Sequence, residues 1–158
     1  MKVVFDTNVY VSAFLLPGSL AEDAFLRVQR RQATLFTSLP ILTETAGVFR
    51  TKFHQAEEDI AAALRLIGRA ATIVKPSVRI MVLEDLPDNR ILECAVEDAA
   101  DLIVTGDHHL LRLKTYQDAA IVRVADFLRV FPEDPASPLS VKKKKSRRQR
   151  RSHGRRGQ

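Results

Sequence analysis

Four carboxylates in this chain stand where folding can bring them to one place. Asp6 closes the apolar run VVFD, and Asp107 follows LIVTG about a hundred residues later. Glu44 lies within LTETAG and Asp88 within LPDNRILE. Carboxylates gathered in one pocket repel one another at neutral pH unless some are protonated or a cation neutralises them. Hard oxygen donors of this kind favour Mg²⁺ or Mn²⁺ over zinc. Each acid also fits a plainer role. Asp6 or Asp107 can start a turn after a strand, Asp85 and Asp88 can cap a helix as a pair, and Glu44 can be a solvated helix residue. Spacing alone leaves both readings open. His108 and His109 are adjacent and lack ligand spacing, so a surface or packing role is expected. Cys94, the single cysteine, is expected near the core without a chemical role.

The elements that must position these acids alternate between strand-like and helix-like patterns. KVVFD, TLFTS, TIVK, DLIVTGD and AIVRV read as strands. Helices are expected over LAEDAFLRVQRR, with Leu20, Ala24 and Val28 on one face, and over LPILTETAGVFR, capped by Ser38. Further helices are expected along Ile60, Leu64, Ile67 and Ala71, from about Asn89 to Ala99, and over ADFLRVF. Strands that are apolar throughout and separated by helices point to a parallel sheet covered on both faces. In such a sheet functional groups collect at the carboxyl ends of the strands, which would put Asp6 and Asp107 on one edge.

With 158 residues, 46% of them hydrophobic, the chain can build one domain with a full core. The net charge of +6 conceals two opposed parts. Residues 1–140 carry 15 basic against 19 acidic residues, a net of −4, and residues 141–158 carry ten basic residues and no acid. A segment of that composition is expected to be disordered. Lys142, Lys143, Lys144, Lys145, Arg147, Arg148, Arg150 and Arg151 suit it to sequence-blind contact with phosphates. The prolines of FPEDPASPLS mark a linker, which divides the chain into a domain at 1–131, a linker at 132–141 and a basic tail at 142–158. No apolar run has the length of a membrane span, and the N-terminus lacks a signal-peptide pattern, so no membrane association and a cytoplasmic location are expected.

VVFDTNVYVSAFL, the glutamate of LTETAGVF, EDLPDNRILECAVEDAADLIVTGDHHLL and the closing IVRVADFL together resemble the PIN-domain family, in order from residue 3 to about 131. Within that family the pattern is similar to the toxin components of bacterial toxin–antitoxin pairs. The resemblance implies a three-layer α/β/α sandwich around a parallel sheet and a Mg²⁺- or Mn²⁺-dependent ribonuclease that cuts single-stranded RNA. It places the acidic site on Asp6, Glu44, Asp88 and Asp107, with Asn8 and Thr105 at the polar supporting positions. An antitoxin partner and a homodimer are implied in the same way. The basic tail is not part of the family pattern.

On this basis Asp6 and Asp107 are expected to bind metal directly, Asp88 to be a ligand or to hold a coordinated water, and Glu44 to orient water or act as base. Asn8 and Thr105 would fix the carboxylates from behind. Two other readings compete. A PIN-like RNA-binding module without cleavage would need only the tail, and retention of all four acids argues against it. A phosphoacceptor signalling domain needs an acidic pair after the first strand, which KVVFDTN does not supply.

Overall fold

The computed structural model describes residues 1–132. β1 (Lys2–Phe5) leads into α1 (Thr7–Leu15) and α2 (Leu20–Gln29), and β2 (Thr34–Ser38) into α3 (Leu39–Thr51) and α4 (Glu57–Ala70). β3 (Ala71–Val74) precedes α5 (Leu86–Glu97), and β4 (Leu102–Val104) precedes α6 (His108–Leu113). A short hairpin of β5 (Thr115–Tyr116) and β6 (Ala119–Val122) is followed by α7 (Val124–Val130).

The strands form one sheet in the order β3-β2-β1-β4-β6-β5. All neighbours are parallel except the edge pair β5 and β6, which is antiparallel. The α/β architecture is the expected one. The two-residue strand β5 is an addition, too short to leave a periodic signal. Val3, Val4 and Phe5 are all fully buried, as a central strand covered by helices on both faces must be. Phe5 meets Tyr10 of α1 at 5.8 Å and Phe127 of α7 at 5.5 Å between ring centroids, which fastens both helices to the sheet.

Several local expectations are corrected. TNVYVSAFL, to which the sequence patterns assign no element, forms α1, with little amphipathic period because Thr7, Val9, Tyr10, Val11 and Ala13 bury most of its circumference. On α2 the core face runs through Ala21, Ala24, Phe25 and Val28, and Leu20 in the first turn is exposed. Ser38 does occupy the position before α3, but its side chain makes no capping hydrogen bond. Helix α5 begins at Leu86, not at Asn89, with Asp85 preceding it and Asp88 in its first turn. Ala99 lies beyond its end, exposed and with a positive φ. Among the described residues no single helix is long and apolar enough to cross a membrane. Apart from Pro132, the linker and the basic tail expected from the sequence lie outside the described residues.

Candidate active site

The chain winds outward from β1 to β2 and β3, then returns to place β4 on the other side of β1. The carboxyl ends of β1 and β4 therefore form the switch point of the sheet, where a crevice opens between diverging connections. Register does the rest. Phe5 pairs with Val104, so the next residues, Asp6 and Thr105, lie side by side. The Asp6 N–H donates to the Val104 carbonyl at 3.0 Å, and the Asp6 carbonyl accepts the first bond of α1, from Val9, at 3.0 Å.

Thr105 joins the two strand-end acids. Its hydroxyl donates to Asp6 Oδ2 at 2.7 Å and accepts the Asp107 N–H at 3.0 Å, and the residue is fully buried. Asp107 caps α6, its Oδ1 accepting from the N–H groups of His109 at 2.8 Å and Leu110 at 3.1 Å. From the other side Glu44 of α3 accepts at Oε2 from the Thr7 hydroxyl at 3.0 Å. Asp88 is 6% exposed, and its Oδ2 is buried without a hydrogen-bond partner among the described residues.

The electrostatics show that these acids share one field. Burial pushes Asp88 up to about 7, with Asp107, Asp85, Asp6 and Glu44 adding like-charge repulsion. Burial also raises Asp6, opposed by the bonds from Thr105 and the Thr7 backbone and assisted by the charges of Asp107 and Asp85. Glu44 is raised by burial, against the Thr7 hydroxyl, with Asp6 and Asp85 contributing repulsion. Asp85 thus adds a fifth negative charge from an exposed position before α5, while Asp88 faces inward.

No three acidic, histidine or cysteine side chains among the described residues are gathered closely enough to hold an ion as they stand. The expected trio of Asp6, Asp88 and Asp107 therefore shares a crevice without forming a closed cage. One oxygen each of Asp6 and Asp107 is already engaged by Thr105 and by the α6 cap. The donor set nonetheless fits a hard divalent cation. Asp88 offers a buried oxygen that lacks any partner, and Mg²⁺ takes one or two carboxylates while keeping several waters.

One supporting assignment changes. Asn8 is exposed and makes no bond to the acids, whereas Thr7, its neighbour, is buried and holds Glu44. The signal was present in DTN, where any of three polar residues can face inward until the helix phase is known. A second unanticipated residue is Asn89, whose side chain accepts from the Leu83 N–H at 2.9 Å and donates to the Leu83 carbonyl at 2.8 Å. It fixes the entry to α5 and with it Asp85 and Asp88. His108 and His109 are exposed, and burial drives the Cys94 thiol up to about 12, which leaves it unreactive.

Thr7→Val retains shape and removes the hydroxyl that restrains Glu44. Glu44 is expected to titrate higher still, at a stability cost of about 1 kcal/mol. An NMR titration of the Glu44 carboxyl and a denaturant melt measure both. An unchanged titration would show that the bond is not made in solution.

Comparison with known proteins places this arrangement in context. The family described as PIN domain matches residues 2–109, a span that contains all the acids above. An uncharacterized protein of Methanocaldococcus jannaschii, MJ1680, is 29% identical over 118 residues, covering 72% of this chain and 76% of its own. A chain in the crystal structure of VapBC2 from Rickettsia felis, bound to a DNA fragment from their promoter, superposes with a TM-score of 0.56. It is 18% identical and aligns over 78% of this chain and 98% of its own, a likeness of fold. With two thirds of its length matched and the crevice at the strand ends in place, this chain belongs to the PIN domain family.

Proposed function

We propose that this PIN domain is a Mg²⁺- or Mn²⁺-dependent endoribonuclease that cleaves single-stranded RNA, as the toxin of a toxin–antitoxin pair. The observation that carries the reading is Asp88. A buried, unpartnered carboxylate surrounded by four other acids destabilises the fold, and it becomes favourable once a divalent cation shares the crevice. PIN domains as a family are nucleases, which matches the chemistry such a crevice supports.

When bound, the cation supplies Lewis-acid charge for the scissile phosphate and lowers the pKa of water. Asp6, Asp88 and Asp107 would hold it. Thr105 keeps one Asp6 oxygen turned inward and fixes the loop to Asp107. Glu44, steadied by Thr7 and raised by burial, is placed to orient the attacking water and take its proton. Attack by water leaves a 5′ phosphate and a 3′ hydroxyl. The antitoxin partner, a homodimer and a cytoplasmic location belong to the same proposal, supported by the sequence resemblance and by the fold shared with VapBC2.

Incubation of the purified protein with mixed RNAs is expected to give cleavage with Mg²⁺ or Mn²⁺ and none with EDTA. Intact RNA under every metal condition would overturn the reading. The tail has a separate signature. Deleting residues 141–158 is expected to leave cleavage of saturating RNA nearly unchanged while weakening affinity at low salt. If six to eight of its charges meet single-stranded phosphates, log K of the full chain changes by roughly −4 to −6 per log unit of salt, and by much less after truncation. Equal slopes would remove the tail from RNA binding.

A further inference from the structure

The segment 75–85 between β3 and α5 contains no helix or strand, yet it is firmly held. Glu97 accepts from both the N–H and the hydroxyl of Ser77 at 2.9 Å. Glu93 accepts the Ile80 N–H at 2.9 Å, Arg90 donates to the Ile80 carbonyl at 3.2 Å, and Asn89 grips Leu83. Beneath this segment lies a pocket of about 600 Å³, walled by Leu39, Pro40, Ile73 and Val78 and bordered by Lys75 and Arg79. Leu39, Ile73 and Val78 are exposed apolar side chains. An apolar pocket of this volume suits a small planar group.

Three features identify its occupant. The pocket shares α3 and α5 with the acidic crevice. Leu39 and Pro40 precede Glu44 by about one helical turn, roughly 7 Å of rise, and Arg90 lies two residues beyond Asp88. It also opens on the same edge of the sheet, at the carboxyl end of β3. Finally, its charge is unbalanced. Glu93, the carboxylate in the wall, is already matched by Arg90 at 3.0 Å, whereas Lys75 and Arg79 make no hydrogen bond or ion pair among the described residues. Aliphatic walls can bury the apolar face of a ring through dispersion and loss of water contact, without aromatic stacking, and cations at the rim take phosphates.

The geometry points to a nucleobase-binding subsite: one base of the single-stranded RNA, close to the phosphate held at the acids, enters the pocket while Lys75 and Arg79 contact the flanking backbone. This inference rests on the nuclease reading and deepens it. The pocket lends the cut a preference for where a base stands, which the basic tail cannot do, because the tail meets phosphates alike in every sequence.

An abasic scan tests it in EDTA, where binding is measured without cleavage. The probe is a fluorescent single-stranded RNA of about eight nucleotides, with one abasic sugar moved through each position. Every member carries the same phosphates, so contact by the tail cancels. Full-length wild type is expected to lose affinity about tenfold at one position and little elsewhere. Val78→Asp, at an exposed site, should flatten that profile, whereas Arg79→Ala, which removes a phosphate contact common to every member, should weaken all members alike and leave the profile's shape. A flat wild-type scan alongside normal metal-dependent cleavage would overturn the subsite alone, as would an unchanged profile in Val78→Asp or undiminished affinity in Arg79→Ala. An unchanged profile with loss of a bound protein partner in Val78→Asp would reassign the groove to a polypeptide. Absence of both RNA binding and cleavage would remove the nuclease reading as well.

Discussion

Asp88→Asn is expected to lower RNA cleavage by on the order of 10² or more, about 2.7 kcal/mol of barrier, while making the metal-free protein more stable at about pH 8. The two effects have one origin. On the proposed mechanism the carboxylate supplies negative charge where a cation would be held, and without a cation that charge is buried against Asp107, Asp85, Asp6 and Glu44. The amide keeps the shape and removes the repulsion. A gain of about 2 kcal/mol, several degrees in a domain of this size, is the expected relief. Thermal melts in EDTA and single-turnover cleavage in Mn²⁺ measure the two sides. A variant that loses both stability and activity would mean that Asp88 acts mainly through packing.

The same burial makes stability depend on pH in an unusual sense. Below about pH 4 the Asp88 carboxyl is protonated in the folded and unfolded chains alike, and its contribution to stability is fully present. As the pH rises the unfolded chain ionises first, and stability is lost until the folded carboxyl ionises at about 7. With solvent screening allowed for, the loss from this group is on the order of 2 kcal/mol, the same quantity that Asp88→Asn recovers. Asp6 and Glu44, also raised, act in the same direction. Glu57 and Glu97, lowered by Arg50 and by Ser77, oppose it from exposed positions and count for little. The metal-free melting temperature should therefore fall between about pH 5 and about pH 8, and Mn²⁺ should raise it more at the upper end. Equal metal shifts at both pH values, at matched ionic strength, would separate the cation from these carboxylates.

What the sequence revealed of this site follows from how each residue is held. Asp6 directly follows an apolar run and Asp107 follows one after Thr105 and Gly106, so strand reading puts both at strand ends, and the switch in strand order sets those ends side by side. Thr105 was legible only through the resemblance to the PIN-domain family, and its register with Asp6 is visible only in the folded sheet. Helix-borne groups were harder. α1 is buried around most of its surface and gives no clear period, so its phase, which decides between Thr7 and Asn8, could not be read. Asp85 immediately precedes α5 and Asp88 lies in its first turn, and burial separates them where spacing does not. The pocket beneath segment 75–85 has no motif at all. It arises from side-chain bonds of Asn89, Arg90, Glu93 and Glu97 to an irregular stretch of chain, and a single sequence does not display those pairings.

The acids also differ in what would become of them under relaxed selection. Asp107 caps α6 and Asp6 anchors Thr105 across two strands, so each maintains the fold whether or not RNA is ever cut. Asp88 has no such second duty, and its charge weakens the protein that carries it. A lineage whose nuclease was no longer needed would gain by exchanging Asp88 early and would shed Asp107 late. If the proposed nuclease reading holds, an aspartate retained at position 107 among descendants of this fold says little about surviving activity, whereas one retained at 88 points to a protein still selected to cut.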